Sequence, residues 1–204
     1  MKSWSKCFWL LFLTLTASMV LQGTCRAETK FFVKAEPVSF LFSSKIDGFS
    51  ANDGYIIETV NGSGSWLPMV MAGLEVNANP MVYSLAGGAG YLYNQAFNGA
   101  AISAEASARY KIGKLVEIGP HAVMLYFASP SWQGSTNIDL DSSIGFGGGL
   151  AFAVKIKSDT FKITGAIDYI NGKFDVTCGP GVTASSNKLD YSGVMFKVGA
   201  QYCF

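Results

Sequence analysis

Phe196-Lys-Val198-Gly-Ala200-Gln-Tyr202-Cys-Phe204 closes the chain. Phe196, Val198, Ala200, Tyr202 and Phe204 share one parity and are apolar to the last residue, whereas Lys197, Gly199, Gln201 and Cys203 share the other. Successive side chains of a strand point to opposite faces, so the segment reads as a β-strand with one greasy face and one small or polar face.

The same pattern recurs upstream. In Ser143–Ile156, the residues Ile144, Phe146, Leu150, Phe152, Val154 and Ile156 oppose Gly145, Gly147, Gly149, Ala151, Ala153 and Lys155. In Thr160–Asn171, Phe161, Ile163, Ile167 and Tyr169 oppose Lys162, Thr164, Ala166 and Asp168, and in Ala101–Ile112 the charges of Glu105, Arg109 and Lys111 again keep to one parity. Continuing in this way predicts eight strands, at about 30–43, 65–77, 81–93, 100–112, 115–128, 142–157, 160–174 and 189–204. Most exceed the usual soluble strand and suit a tilted membrane crossing, which takes about 9–11 residues. The connections alternate, with tight turns at Asn77–Pro80, Gly113-Lys114 and Ser158-Asp159 and longer stretches at 44–64, 94–99, 129–141 and 175–188.

Composition asks for a solvent other than water: 204 residues are 50% hydrophobic and only 14% charged. Part of the excess lies at the start, where Lys2 and Lys6 precede the apolar run Phe8–Leu21 and Cys25-Arg-Ala27 offers small residues for cleavage after Ala27. Residues 1–27 therefore read as a cleaved signal peptide and 28–204 as the mature barrel. A retained anchor and a lipoprotein are the alternatives, the latter weakened because Gln22 stands where a lipidated Cys25 would want Leu. Loss of Lys2, Lys6 and Arg26 leaves 12 basic against 14 acidic residues, which gives no electrostatic case for nucleic acid. Cys178 and Cys203 remain, near opposite ends of neighbouring predicted strands, too far apart for a disulfide.

Past the signal no uninterrupted apolar run of about 18 residues is long enough for a membrane helix. Backbone groups in hydrocarbon must still be hydrogen-bonded, and a sheet achieves this only by closing. The expected fold is all-β, an eight-stranded antiparallel up-and-down transmembrane β-barrel with its apolar parity outward. Tyr91, Tyr93, Tyr110, Tyr126, Tyr169 and Tyr202 near strand ends suit aromatic girdles. The alternative is a soluble lipocalin-like cup with Phe146, Leu150, Phe152, Ile163 and Ile167 turned inward.

With the terminal alternation Phe196, Val198, Ala200, Tyr202, Phe204 and the eight-strand layout in place, the mature chain resembles the small eight-stranded OmpA/OmpX-like outer-membrane barrels. The resemblance implies a bacterial outer-membrane location, both mature termini in the periplasm and recognition of the last strand by the barrel-assembly machinery. It also implies a surround of outer-membrane lipid and lipopolysaccharide.

The inner parity carries a candidate charge network of Glu75, Glu105, Arg109, Glu117, Lys155, Lys162, Asp168 and Lys197, with Lys34 and Glu36 beside it. Five positive and five negative groups balance, which favours a salt-bridged plug over a conduit because unpaired charges in a narrow lumen are costly. His121, the sole histidine, has Pro120 before it, and a bulge there would shift its face. A lipid-A-modifying enzyme would use such a histidine as base, yet no serine stands two residues on. Neither Gly87-Gly-Ala-Gly90 nor Gly147-Gly-Gly149 has phosphate-loop spacing, and Asp139 with Asp141 falls short of a metal-ligand set. No catalytic, cofactor or metal residues are assigned. Trp132 and Ile56-Ile57 fall in or beside presumed outer loops and are expected to rest on the barrel rim or the lipopolysaccharide. The expected role is non-enzymatic, structural or surface-interacting through the loops, with a narrow pore or ligand conduit as the alternative and an unnamed extracellular partner.

Overall fold

The computed structural model describes residues 27–156 and 160–204. The signal-peptide segment, apart from Ala27, and the Ser158-Asp159 turn lie outside these residues. Fifteen strands run through them in chain order: β1 (Glu28–Phe42), β2 (Ser50–Asn52), β3 (Ile57–Thr59), β4 (Gly64–Trp66), β5 (Met69–Ala78), β6 (Met81–Tyr93), β7 (Phe97–Ile112), β8 (Val116–Trp132), β9 (Ile138–Leu140), β10 (Ser143–Lys155), β11 (Phe161–Asn171), β12 (Lys173–Cys178), β13 (Thr183–Ala184), β14 (Lys188–Asp190) and β15 (Gly193–Cys203).

Eight of them form the wall. β1 pairs antiparallel with β5, and the path continues through β6, β7, β8, β10, β11 and β15, which returns to β1. The last strand thus pairs with the first, Phe32 opposite Cys203 and Phe40 opposite Phe196, and no edge remains in the wall. The structure is an eight-stranded antiparallel up-and-down β-barrel.

Parity resolves which face is which. Phe146, Leu150 and Ile167 are each at least half exposed on the outside, which excludes the inward-apolar cup. Phe196, Tyr202 and Phe204 also face out, and Lys197, Gln201 and Cys203 are buried in the lumen. Aromatic residues collect at both ends of the outer wall. Trp66 stacks on Tyr93 at 5.2 Å at the loop end, and Tyr202 meets Phe204 edge-on at 5.0 Å at the turn end.

The expected parity break is displaced. Pro120 faces outward without an inserted residue, for Ser107 still opposes His121 and Tyr110 opposes Ile118 in one register. Breaks lie instead in β8, where Ser129 and Pro130 stand opposite Gly99 and the register to β7 shifts, and in β1, where the register to β15 shifts between Ala35 and Val38. Glu36 and Pro37 supply the bulge, so Phe32, Lys34 and Glu36 point inward below it and Ser39 and Leu41 above it. His121 is therefore a lumen residue.

Connections at one end are short. β5 turns into β6 through Asn79-Pro80, and β7 into β8 through Gly113, whose φ of 67° is a left-handed conformation open to glycine. The opposite end carries the loops, and here the expected lengths need correcting. The stretch 94–99 is a three-residue turn, since β7 begins at Phe97. The strand expected at 65–77 breaks at Leu67-Pro68 into β4 and β5. Residues 44–64, 129–141 and 175–188 are not open loops but contain short strands that pair with one another: β13 with β2 and β2 with β3, and β9 and β14 each with β12. Cys178 stands in this crown and Cys203 at the other end of the barrel, both free thiols.

Candidate functional site

The lumen is filled in two different ways. Toward the turn end, buried ionic side chains form two groups. In the lower group, Arg109 reaches Glu75 at 2.8 Å and Glu117 at 3.2 Å. Lys162 reaches the same two carboxylates at 2.5 and 3.1 Å, Lys155 adds a contact to Glu117 at 3.4 Å, and Gln201 donates to Glu75 at 3.0 Å. Two cations shared between two carboxylates close a ring. In the middle group, Glu105 accepts from Lys34 at 2.6 Å and from Lys197, and Lys34 also meets Glu36 at 2.8 Å. Lys197 lies 3.7 Å from Asp168.

His121 completes the middle group. Its Nδ1 is 2.7 Å from Asp168 and its Nε2 3.5 Å from Glu105. The local cause is Gly149. It sits on β10 between His121 on β8 and Asp168 on β11, and pairs with both, so no side chain intervenes. A Cβ at Gly149 would lie 1.9 Å from the Ile167 carbonyl oxygen. Because both ring nitrogens face carboxylates, neither is directed at a hydroxyl it would activate.

All eight residues of the sequence-derived charge set thus come together in the lumen, joined by Lys34, Glu36 and His121. The space they leave is a cavity of about 20 Å³, room for a single water molecule. It is lined by Lys34, Glu36, Glu105, His121, Thr164 and Gln201 among others. Glu36 Oε2 and Thr164 Oγ1 are buried there without a hydrogen-bond partner.

Toward the loop end the lumen turns apolar. Leu41, Met69, Leu92, Leu125, Ile170 and Met195 are buried, and above them Phe97, Phe127, Phe174 and Tyr191 pack together. Phe127 meets Tyr191 edge-on at 5.2 Å, Phe97 and Phe127 each meet Phe174 at 5.6 Å, and Phe174 lies 4.6 Å from Tyr191. The Tyr191 hydroxyl is 3.1 Å from Ser143 Oγ, and burial pushes its pKa up to about 12. Gly172 makes room for the ring, since a Cβ there would lie 2.1 Å from it. This aromatic seal has a sequence signal in β8, whose inward residues run Glu117, Gly119, His121, Val123, Leu125, Phe127. Polar gives way to apolar along one face of one strand.

The crown above is knitted by Glu58. Its carboxylate accepts from the Ser135 N–H at 2.5 Å, the Ser135 hydroxyl at 2.6 Å, the Thr136 N–H at 3.1 Å and Trp132 Nε1 at 3.3 Å, and also from the Thr136 hydroxyl. The hydroxyl and amide donors of Ser135 and Thr136 hold this carboxyl down at about 2. Trp132 packs edge-on against Phe49 at 5.8 Å, so it belongs to the crown rather than to the rim. Ile56 and Ile57 do not settle on the rim either. With Tyr55, which is 96% exposed, they project from the tip of the first loop.

A closed wall with an apolar exterior, aromatic ends and an ionic lumen defines the class: this is a β-barrel of the outer-membrane type. In fold the chain is similar to Neisserial surface protein A, with a TM-score of 0.50 at 15% identity over 87% of this chain and 99% of that one. It is also similar to the outer membrane protein OprG from Pseudomonas aeruginosa, with a TM-score of 0.49 at 11% identity over 86% of this chain and 96% of that one. No family model and no curated protein sequence matches the chain.

Proposed function

We propose that this protein is an integral protein of the bacterial outer membrane that carries a folded crown as an interaction surface on a closed barrel. Both mature termini then face the periplasm and the crown faces outward, in contact with lipopolysaccharide. The last strand, through Phe196, Val198, Ala200, Tyr202 and Phe204, serves as the signal read by the assembly machinery, and residues 1–27 are the cleaved export signal. The role is non-enzymatic.

One observation carries this reading: the lumen is occupied from end to end, by ion pairs below and by aromatic rings above, while three of the loops fold into one unit. A filled lumen rules against a conduit as the main activity, because transport requires space or mobile side chains along the axis. A crown held by strand pairing and by Glu58 is preorganised, which lowers the entropic cost of binding a partner.

The test is thiol labelling on intact cells with a membrane-impermeant maleimide, in a Cys178→Ser background. Tyr55→Cys is expected to label and a cysteine at Lys114 in the β7–β8 turn is not. Labelling at the turn alone would invert the topology and remove the proposed surface.

A further inference from the structure

The tip of the first loop has a feature that a solvated hairpin does not need. β3 is the last strand of the three-stranded sheet β13-β2-β3. Val60 donates to Phe49 and Asp53 to Ile56, so residues 56, 58 and 60 spend their main-chain groups on β2. Alternation in an antiparallel pair then turns the N–H and C=O of Ile57 and Thr59 to the open edge. An uncovered edge is a template for another strand, and proteins commonly blunt it with lysine, proline or a bulge. β3 has none of these: it is Ile57-Glu-Thr59, and its one charged side chain is folded back into the crown.

The edge is also rigid and apolar. Asp53 Oδ1 accepts from the N–H groups of Tyr55 and Ile56 at 2.9 and 2.8 Å, and Asn52 Oδ1 from that of Gly54 at 2.7 Å. Just beyond, Glu58 is pinned by Ser135 and Thr136. Tyr55, Ile57 and Thr59 alternate onto one exposed face, with Tyr55 and Ile57 96% and 69% accessible. The surrounding charge is one-sided. The loop-end segments carry Lys45, Lys173 and Lys188 against seven carboxylates, and each lysine is paired, Lys45 and Lys173 with Asp190 and Lys188 with Asp175. Asp47 and Asp53 flank the hairpin with no lysine partner among these pairs.

We infer that the β3 edge is a docking site for an extended segment of a partner protein, added as a fourth strand beside Ile57 and Thr59, and that this segment is basic with an apolar residue at alternate positions. Main-chain pairing supplies the affinity, the Tyr55 and Ile57 side chains supply the apolar anchor, and Asp47 and Asp53 select positive charge. The inference rests on the reading of the crown as an outward interaction surface.

The test uses the full mature chain refolded in detergent micelles, with hydrogen exchange read residue by residue. The probe is an alternating Lys-Val decapeptide, compared with an alternating Glu-Val peptide and with a Lys-Val peptide N-methylated at alternate residues. The Lys-Val peptide is expected to slow exchange at Ile57 and Thr59 by about tenfold or more and to leave Glu58 and Val60 unchanged. The Glu-Val and N-methylated peptides are expected to bind at least about tenfold more weakly. Ile57→Pro, which removes an outward N–H, abolishes binding while the barrel keeps its heat-modifiable migration. The N-methylated peptide makes the same test without altering the protein. Absence of binding, binding without protection at Ile57 and Thr59, equal binding of the three peptides, or protection by lipopolysaccharide vesicles in place of the peptide would each overturn the inference. Labelling of Tyr55→Cys on intact cells together with no peptide binding leaves the surface reading standing and removes only the strand pairing.

Discussion

The two halves of the lumen solve one packing problem with opposite chemistry. In the turn-end half, residues from seven strands meet through charge: Lys34, Glu75, Arg109, Glu117, Lys155, Lys162 and Lys197 come from β1, β5, β7, β8, β10, β11 and β15. In the loop-end half, Phe97, Phe127, Phe174 and Tyr191 meet through ring contacts, and two of the four, Phe174 and Tyr191, come from the crown rather than from the wall. The ionic half therefore ties strand to strand, and the aromatic half ties the wall to its lid. The narrow cross-section of eight strands permits both, provided that small residues such as Gly149, Ala151, Ala153 and Ala166 make room.

If that division holds, damage to the two halves differs in kind. The largest effect is expected for Glu105→Leu, which leaves Lys34 and Lys197 buried without their shared carboxylate. Breaking a buried ion pair from one side costs about 3–5 kcal/mol, and urea unfolding of the refolded barrel should show the loss as a lower midpoint for the whole wall. Phe174→Ala should cost about 3 kcal/mol by removing the centre of the ring cluster. Its signature is local: hydrogen exchange rises in β9, β12 and β14 and stays slow in β7 and β8. A global loss from Phe174→Ala equal in kind to that of Glu105→Leu would erase the distinction.

Gly172→Ala sharpens the comparison further. The new methyl meets the Tyr191 ring, an overpacking expected to cost about 1–3 kcal/mol, and Tyr191→Leu in the same chain should relieve most of it. The smallest effect concerns the crown alone. Glu58 has a folded carboxyl near 2 against an ordinary 4.5, so its contribution to crown stability is fully present above pH 4.5 and is lost as pH falls through about 2. In a Trp66→Phe chain, Trp132 fluorescence should follow that transition, and Glu58→Gln should abolish it without moving the urea midpoint of the wall.

Much of the wall was legible in the sequence, and the reason is physical. Lipid on one side and a crowded lumen on the other impose a period of two on every crossing strand, so Ile144, Phe146 and Leu150 declare their face without knowledge of their neighbours. The ionic set was legible for the same reason, since Glu105, Arg109, Lys162 and Asp168 all fall on the parity opposite the greasy one. What escaped has no period to betray it. β2, β9, β13 and β14 span three residues or fewer, too short for alternation, and their partners lie far away in sequence, so the crown read as open loop. Of the prolines, Pro120 looked like the parity break, whereas the inserted residues stand beside Pro37 and Pro130. A missing N–H does not by itself insert a residue, and only the registers across to β15 and to β7 show where one was inserted. Tyr191 and Phe174 gave no sign of facing each other, because their meeting depends on the room that Gly172, far away in sequence, leaves for the Tyr191 ring.

The central claim is that the lumen is closed. The most direct test is reconstitution of the mature chain in planar bilayers under voltage. The account predicts no reproducible unitary steps from the intact protein, because ion pairs and packed aromatic rings fill the axis. Steady unitary conductance that changes in Arg109→Ala would contradict it and turn the ionic half from a plug into a selectivity region.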